Sequence, residues 1–459
     1  MFQKDIYINR RNKLAHTLEG EIMLFIGNKQ AAFNYEANEY AFRQDSTFLY
    51  LFGIDEPDFA AIIDNGETTI YADDPSLDDI VWMGPQIPVS QKALNAGIDK
   101  TKARKALAAD IAKAIKAGRK IHYIPPYRGE TIIELAELTE QQPNSVKANA
   151  SRPLIDALIA LRSVKEPCEI EELERHMAVG YEMHVTAMKM AIEGETEKAI
   201  HAAVDYASLR SGGQVSFPTI CSVSGQTLHN HSYNGILRKG NLLLVDAGSE
   251  SPLHYATDNT RTTPIGGKFT QQQKEIYQIV LDANNVAAKT SKPGVKYLDV
   301  HLLAARTIAQ GLVSVGLMKG SPDDIVAAGA HAMFFPHGLG HMLGLDVHDM
   351  ENYNDTLVGY DNEVTRSTQF GLSALRLGRR LQEGFVMTDE PGIYFIPELI
   401  DKWQGEKRFT DFINYNALQH YRTFGGIRLE DDLLVTSTGA RVLGKRIPIT
   451  IEEIESIQK

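Results

Sequence analysis

Residues 242–263 constrain the fold more than any other stretch, because they bring two acidic side chains to the ends of two neighbouring strands. The apolar run at residues 242–245 is typical of a buried strand and stops at Asp246, where a turn begins. After a short polar loop, residues 255–262 are again typical of a strand. A hairpin return between these strands would lay Asp258 near Asp246.

Two carboxylates placed that close together repel each other unless a proton or a cation lies between them. A bound metal ion is therefore the natural candidate for this place. A surface turn that carries two unrelated acids is the alternative, and this stretch alone leaves both interpretations open.

The length and composition of the chain indicate a globular protein of at least two domains. The sequence has 459 residues, with 43% hydrophobic and 23% charged residues. The net charge of -12 would repel a phosphate backbone, and no basic cluster offsets it, so we expect no nucleic-acid partner. The sequence has no apolar run of the length that a signal peptide or a membrane helix requires, so we expect no membrane association.

The two cysteines, Cys168 and Cys221, are far apart and form no CxxC pair. This spacing predicts neither a disulfide framework nor a thiolate zinc site. We therefore expect a reducing compartment and a cytoplasmic location.

Short apolar runs alternate with helical stretches up to about Pro143, which is typical of an α/β domain. The polar residues 141–151 are the best candidate for a linker, so we predict domains at residues 1–150 and 151–459. In the second domain, residues 169–192 have helical periodicity, and Thr270 with Gln273 resembles a capping box. Helices therefore interleave with strands, which predicts an α+β or α/β second domain.

Further candidates for metal ligands follow along the second domain. A glycine-rich segment carries His337, His341 and His348, and its glycines disfavour the zinc-binding helix that the His337 to His341 spacing would otherwise suggest. Glu390 follows a short apolar strand, as Asp246 does, although such an acid is often only a turn residue. Arg428 and Glu430 would share one face of a strand, where a salt bridge is the simplest interpretation.

Taken together, five short contexts resemble the ligand motifs of the pita-bread metallopeptidases. They occur in the family's order as VDAG at Asp246, DNTRT at Asp258, HGLGH at His341, DEPGIY at Glu390 and GIRLEDD at Glu430. The family includes methionine aminopeptidase, Xaa-Pro aminopeptidase (aminopeptidase P) and Xaa-Pro dipeptidase (prolidase). Residues 40–53 and 82–84 also resemble the amino-terminal domain of aminopeptidase P and prolidase, which makes a short methionine aminopeptidase a poor match.

The resemblance implies an α/β N-terminal domain followed by an α+β pita-bread catalytic domain that holds two divalent ions. It implies that Asp246 binds one ion, that His341 and Glu390 bind the other, and that Asp258 and Glu430 bridge both. An oxygen-rich set with one imidazole suits Mn²⁺, the usual metal of the family, with Co²⁺, Fe²⁺ or Zn²⁺ as alternatives.

The resemblance also assigns roles to residues outside the ligand set. His229 resembles the family's substrate-side histidine, with His231 as a second candidate. His337 and His348 resemble the two histidines that flank the scissile bond, and Arg428 resembles an arginine beside the bridging glutamate.

Three features depart from the family pattern. Asp258 follows Asp246 by 12 positions, which is one residue longer than the common loop. Asp389 stands where the family usually has an apolar residue. Residues 351–382 and 400–423 are expanded, and they could reshape the substrate cleft.

The resemblance predicts a hydrolase in which Glu390 acts as general base and then general acid. The leading interpretation is an Xaa-Pro aminopeptidase that acts on peptides with proline at the second position and forms a homo-oligomer, as the family often does. An Xaa-Pro dipeptidase is the nearest alternative, since sequence motifs hardly separate the two. A pita-bread protein that only binds its partners, or a metal-free hydrolase such as creatinase, is disfavoured because all five ligand positions are filled.

Overall fold

In the computed structural model, the described residues, 1–18 and 20–458, divide into two units. The first unit consists of Met1–Arg162 together with Met350–Asn354, and the second consists of Ser163–Asp349 and the chain from Asp355 onward. Each unit has its own sheets and its own buried apolar cluster, as two domains would.

The first unit alternates strands and helices. Its strands are β1 Ile22–Ile26, β2 Ala32–Tyr35, β3 Asn38–Glu39, β4 Ala60–Asp64, β5 Glu67–Tyr71, β6 Lys100–Lys102 and β7 Ile121–His122. Its helices are α1 Lys4–Thr17, α2 Ser46–Phe52, α3 Leu77–Met83, α4 Val89–Asn95, α5 Ala106–Lys116, α6 Gly129–Leu138, α7 Pro143–Val146 and α8 Arg152–Ser163.

A five-stranded mixed sheet in the order β6-β5-β4-β1-β7 forms the centre of this unit. The β1-β4 and β4-β5 pairs are antiparallel, whereas β6 and β7 pair in parallel with β5 and β1 at the two edges. Ile22 and Leu24 lie on one face of β1, where they pack with Leu107 and Ile111 of α5. The predicted α/β character of this half of the chain is confirmed.

The polar stretch at residues 141–151 is more ordered than a linker. It contains the short helix α7, and Val146 is fully buried in the apolar cluster of the first unit. The hydroxyl of Tyr123 donates a hydrogen bond to the carbonyl of Val146 at 3.0 Å. The stretch is polar because most of its side chains face water, whereas Val146 provides the contact that anchors it.

Long helices flank several small sheets in the second unit. Its helices are α9 Pro167–Met190, α10 Glu197–Leu209, α11 Gln271–Thr290, α12 Tyr297–Ser314, α13 Pro322–Ala328, α14 Glu351–Gly359 (interrupted at Asn354, up to which its residues belong to the first unit), α15 Pro397–Gly405, α16 Tyr415–Leu418 and α17 Ile451–Ile457, with 3-10 turns at Ala330–Met333, Leu372–Ala374 and Gln419–Tyr421. Its strands are β8 Gln214–Val215, β9 Ile220–Ser222, β10 Leu242–Ala247, β11 Ser249–Glu250, β12 Asn259–Pro264, β13 Val386–Asp389, β14 Gly392–Tyr394, β15 Gly426–Arg428, β16 Asp431–Val435 and β17 Ala440–Val442.

The sheets of the second unit are antiparallel throughout. They have the orders β12-β10-β9, β13-β16-β17, β14-β15 and β11-β8. The predicted capping box is present at the start of α11, where Thr270 accepts from the backbone of Gln273 and the Gln273 side chain accepts from the backbone of Thr270. The second unit is therefore α+β, as predicted.

Side chains alternate between the two faces of β10, so that one face packs into the apolar core and the other points toward the candidate site. Leu243 and Val245 point into an apolar cluster with side chains of α9 and α10. Leu244 points the other way, toward Ile220 and Tyr394. Asp246 shares the face of Leu244, so the geometry of one strand directs its carboxylate away from the helices.

Within the described part of the chain, no helix is long and apolar enough to cross a membrane.

Candidate metal centre and active site

The hairpin of β10 and β12 carries the first two acids of the site. Asp246 pairs with Thr260 in the antiparallel register, and Asp258 directly precedes β12. Asp246 is 9% exposed and Asp258 is 5% exposed. The loop of 12 positions therefore still places Asp258 at the mouth of the hairpin, on the chain that returns beside Asp246.

A second pair of acids comes from the β13-β16 sheet. Glu390 directly follows β13, and its backbone nitrogen donates to the carbonyl of Leu339 at 2.8 Å. Glu430 directly precedes β16 and forms an isolated antiparallel bridge with Thr260. This bridge joins the two sheets, so Glu430 reaches the acids of the first hairpin.

His341 comes from an irregular segment that lies directly against β13. The backbone nitrogen of Thr388 donates to the carbonyl of His341 at 3.0 Å, and Met342 bridges Met387. A Cβ atom on Gly340 would lie 2.1 Å from the carbonyl oxygen of Thr388, so only glycine permits this approach. The glycines of this segment therefore serve close backbone packing, which a helix would not allow.

The ring of His341 presents a free nitrogen to the acids. Its Nδ1 lies 3.1 Å from the carbonyl oxygen of Met342, which places the ring proton on Nδ1. Its Nε2 then faces Asp258 Oδ2 at 3.3 Å and Glu390 Oε1 at 3.9 Å. This is the tautomer and orientation that a metal-binding histidine adopts.

The grouped acids require a cation. Ligand atoms of Asp258, His341 and Glu430 all lie within 4.8 Å of one another. Burial, followed by the neighbouring carboxylates, raises the pKa of Asp258 and of Glu430 well above the usual range, and burial raises the pKa of Glu390 to about 7. Oδ1 of Asp246 is buried without a hydrogen-bond partner among the described residues. Oxygen donors with one imidazole fit divalent metal ions, which would neutralise this charge.

Arg428 and Tyr394 connect one ligand to a neighbouring histidine. The guanidinium of Arg428 donates to Asp246 Oδ2 at 2.6 Å and to the hydroxyl oxygen of Tyr394 at 3.0 Å. The hydroxyl of Tyr394 then lies 2.8 Å from Nε2 of His337, to which it donates. Desolvation, followed by the charge of Arg428, lowers the pKa of His337 to about 3, so this ring is neutral.

All five ligand candidates line one cavity of about 530 Å³. The cavity is also lined by the other histidines and the arginine that the sequence singled out, namely His229, His231, His337, His348 and Arg428. The rings of His341 and His348 are 3.9 Å apart between centroids. Partial desolvation and the charge of Arg428 lower the pKa of His229. The structure thus brings every sequence-derived candidate to one place.

Asp389 lies apart from this group. It is fully buried and pairs across the sheet with Asp431, on the face of β13 that points away from Glu390. Burial and then the charge of Asp431 raise the pKa of Asp389 well above its usual range. The unusual acid beside Glu390 therefore leaves the position of Glu390 unaltered.

Sequence reasoning missed three residues that complete the site. Thr260 hydrogen-bonds Glu430, Tyr394 connects His337 to Arg428, and Arg376 lines the cavity. Tyr394 stands inside the DEPGIY context, which was the only available signal for it. Thr260 stands inside the DNTRT context, but nothing there marks its contact with Glu430, which is distant in the chain. Arg376 gave no signal.

Comparison with known proteins identifies the family. The model of metallopeptidase family M24 matches residues 171–437, and that of the aminopeptidase P N-terminal domain matches residues 7–123. The predicted boundary near residue 150 falls between the two matched regions and stays a prediction.

The similarity to known proteins covers nearly the whole chain. The Xaa-Pro dipeptidase of Homo sapiens is 30% identical over 449 residues, which cover 95% of this chain and 88% of that protein. The probable Xaa-Pro aminopeptidase of Blastomyces gilchristii is 30% identical over 439 residues, covering 91% and 83%. The structure of aminopeptidase P from E. coli with the inhibitor Pro-Leu has a TM-score of 0.80 and 26% identity, and the match covers 100% of this chain and 98% of that one.

The matched region of the M24 model spans more than half of the sequence and contains all five ligand candidates. The fold is accordingly the pita-bread fold, preceded by the N-terminal domain of the second match. The chain is a member of metallopeptidase family M24, a family of metal-dependent hydrolases.

Proposed function

We propose that the protein is an Xaa-Pro aminopeptidase, which releases the first residue of peptides that have proline at the second position. The observation that carries this proposal is the convergence of three buried carboxylates, the partly exposed Glu390 and His341 on a cavity of about 530 Å³. The names of its relatives, which are Xaa-Pro peptidases of both kinds, support the substrate class.

Two divalent ions would be held by the five ligands. Asp246 would bind one ion, His341 and Glu390 would bind the other, and Asp258 and Glu430 would contribute to both. When bound, such ions would supply Lewis acidity and would lower the pKa of water at the site. We propose Mn²⁺ as the native metal, since four carboxylates and one imidazole form an oxygen-rich set.

The carboxylate of Glu390 is positioned to move the proton. Its Oε1 lies 3.9 Å from Nε2 of His341, and its Oε2 lies 3.8 Å from Nδ1 of His337. This carboxylate accepts a proton from the attacking water and passes it to the nitrogen of the leaving proline. His337, held neutral, and His348 bind the substrate backbone on either side of the scissile bond, and His229 lies on the substrate side of the same cavity.

The site can select proline because it does not require an N–H group on the residue after the scissile carbonyl. A bond to proline is a tertiary amide without an N–H group, so a site shaped around the pyrrolidine ring needs no acceptor at that position. Arg428 keeps Asp246 oriented and, through Tyr394, orients His337.

The proposal is tested by product analysis on Ala-Pro-Ala and Ala-Pro with the Mn²⁺-loaded protein and a chelated control. We expect release of Ala and Pro-Ala from the tripeptide, and loss of this activity on chelation. Glu430→Ala should abolish turnover and the stoichiometric binding of metal. Glu452→Ala, on the exposed face of α17, should change neither property. Unchanged metal content and turnover in Glu430→Ala would refute the assignment.

A second candidate function, Xaa-Pro dipeptidase, is favoured by Arg376. Its side chain is 40% exposed at the cavity wall and lies 3.8 Å from Asp355, which Arg366 already binds at 2.9 Å. A cation in this place can bind the free carboxylate that a dipeptide presents near its scissile bond. Cleavage of Ala-Pro but not of Ala-Pro-Ala, together with a raised KM for Ala-Pro in Arg376→Met, would establish the dipeptidase. Equal KM values in Arg376→Met and wild type would remove this argument.

We also propose a homo-oligomer, in which helix α3 contacts a second copy. None of the side chains of α3 is buried, and Leu77, Trp82 and Met83 are each more than 75% exposed. A helix of seven residues does not stabilise itself in water, so an apolar helix without buried side chains indicates an interface.

Analytical ultracentrifugation of Trp82→Ser tests the oligomer. We expect a smaller species than wild type, whereas Tyr206→Ser, which changes another exposed aromatic residue on α10, should sediment as wild type. A monomeric wild type would refute the proposal.

We further propose a cytoplasmic location, since the sequence has only two cysteines, far apart and without a CxxC pair, and a chain without a disulfide framework is typical of a reducing compartment. Fractionation of the producing cells tests this location.

A further inference from the structure

The segment of residues 341–349, here called the histidine loop, carries two histidines of the site. It begins at the ligand candidate His341 and reaches His348 without forming a helix, and the two rings lie 3.9 Å apart between centroids, tilted by 40°. Irregular backbone of this kind is held in place only by its tertiary contacts. The placement of His348 therefore depends on what fixes the loop.

A buried ion pair joins the loop to Lys165. Nζ of Lys165 lies 2.9 Å from Oδ2 of Asp349, and each side chain is 1% exposed. The backbone nitrogen of Asp349 donates to the carbonyl of Met342 at 2.9 Å, and the Asp346 nitrogen donates to Asp349 Oδ1 at 3.3 Å. Asp349, the residue next to His348, thus contacts Met342 and Asp346 of the loop, and its carboxylate binds the ammonium group of Lys165.

The loop leaves room for this pair by means of glycine. A Cβ atom on Gly344 would lie 2.5 Å from Oδ2 of Asp349 and 2.8 Å from Cε of Lys165. The carbonyl of Gly344 accepts from the backbone of Ala256 at 2.8 Å, two residues before Asp258. The ion pair consequently lies beneath the loop where the loop touches the first hairpin.

Lys165 is itself anchored to the strand that precedes Glu390. Its backbone nitrogen donates to the carbonyl of Gly384 at 2.8 Å, two residues before β13. Leu343 of the loop donates to the carbonyl of Val386 at 3.0 Å, on the same strand. Lys165 and the loop therefore share one rigid support, and the ion pair fixes the distance between them.

We propose that Lys165 is a positioning residue that, through Asp349, holds His348 in the geometry needed for turnover. Stability alone is a weak reason for this pair, because desolvation of two charges offsets most of their attraction and an apolar pair would serve as well. The inference rests on the proposed function in one respect, namely that turnover is the property which His348 supports.

A kinetic cycle separates positioning from general destabilisation. Lys165→Met should lower kcat about tenfold or more with little change in KM, since small misplacements of a catalytic group have effects of this size. In the His348→Ala background, Lys165→Met should cause no further loss, because the group that it positions is gone. An equal loss of kcat in both backgrounds would overturn the proposal.

Two further variants control for folding. Lys274→Met removes a lysine outside the cavity lining, whose Nζ lies 3.0 Å from Oε1 of Glu455. This variant should leave kcat unchanged. Lys165→Met combined with Asp349→Leu removes both charges and should restore thermal stability, but kcat should stay low. Recovery of kcat together with stability would show that the pair is only structural.

Hydrogen exchange gives a readout that does not depend on turnover. In Lys165→Met, the amides of Leu343 and Asp349 should exchange faster than in wild type at a temperature where the protein stays folded. Unchanged exchange at these amides would overturn the proposal. If wild type cleaved neither peptide, the proposed function would fail, and hydrogen exchange would still test whether the ion pair fixes the loop.

Discussion

Two hydrogen bonds join Thr260 to Glu430 at the line where the two ligand-bearing sheets meet. The backbone nitrogen of Glu430 donates to the carbonyl of Thr260 at 3.0 Å, and the Thr260 hydroxyl donates to Glu430 Oε2 at 2.7 Å. The orientation of the Glu430 carboxylate is thereby set by a residue from the opposite hairpin. Thr260 also accepts a hydrogen bond from Nε of Arg428 at 3.1 Å, so one hydroxyl serves both neighbours.

Thr260→Val keeps the shape of the side chain and removes this hydroxyl. We expect metal affinity to fall about 10-fold to 100-fold, the usual effect of losing a group that orients a metal ligand. Competition with a metal chelator measures the affinity. Thr290→Val, which removes a hydroxyl bonded only to the backbone of α11 at Val286 and Ala287, serves as the control. Equal affinities of the two variants would contradict the expectation.

Tyr394→Phe interrupts the connection between His337 and Arg428. The loss of the hydroxyl leaves Nε2 of His337 and one N–H group of Arg428 without this partner. An unpaired buried polar group costs about 1–3 kcal/mol of free energy. We therefore expect kcat/KM to fall by about tenfold or more, with metal content unchanged. Tyr421→Phe, in an aromatic stack with Phe395, is the matched control and should retain full kcat/KM.

The metal-free protein should lose stability as the pH rises. Burial raises the folded pKa of Glu390 to about 7 from an ordinary value of 4.5, so the folded state holds its proton more tightly than the unfolded state. The favourable contribution is complete below about pH 4.5 and is lost as the pH rises toward 7, by roughly 3 kcal/mol for this group alone. Urea unfolding of chelated protein at several pH values measures the slope.

In chelated Glu390→Gln this part of the slope should disappear, because the amide does not titrate. Divalent metal should restore stability at pH 7 in wild type, since it binds only the folded ligand set. A pH dependence that is the same in wild type and variant would count against the assigned burial of Glu390.

Arg261→Met should destabilise the fold strongly. Arg261 is 1% exposed, and its guanidinium donates to Asp431 Oδ1 at 2.6 Å and to the carbonyl of Glu430 at 2.7 Å. Removal of Arg261 leaves Asp431 with Arg446 at 2.8 Å, but it takes the donor from the buried carbonyls of Glu430 and Ile447, and each unpaired buried group costs about 1–3 kcal/mol. Arg441→Met breaks a half-exposed pair with Glu174 and should cost less than about 1 kcal/mol. Urea denaturation compares the two variants.

The parts of the fold that local patterns determine could be predicted from the sequence. The apolar run of β10, the cap of α11 and the acid after β13 depend on residues a few positions apart, and the structure has each of them. The order of the five ligand candidates came from resemblance, and the cavity brings all of them together.

The supporting contacts could not be predicted, because they join residues that are distant in the chain. Lys165 and Asp349 are 184 residues apart, and Arg428 and Asp246 are 182 apart. No local periodicity encodes such a pair, and each member alone looks like an ordinary surface charge. The same holds for Val146, whose burial turned an expected linker into a packed helix.

The bridge between Thr260 and Glu430 also has a consequence for biosynthesis. These two residues are 170 positions apart, and Glu430 is the last of the five ligand candidates along the chain. Because synthesis proceeds from the N-terminus, Asp246, Asp258, His341 and Glu390 are all made before their last companion exists. The nascent chain therefore carries an incomplete set of these candidates until Glu430 is made, and we expect a metal centre built from all five to be complete only after the final sheet forms.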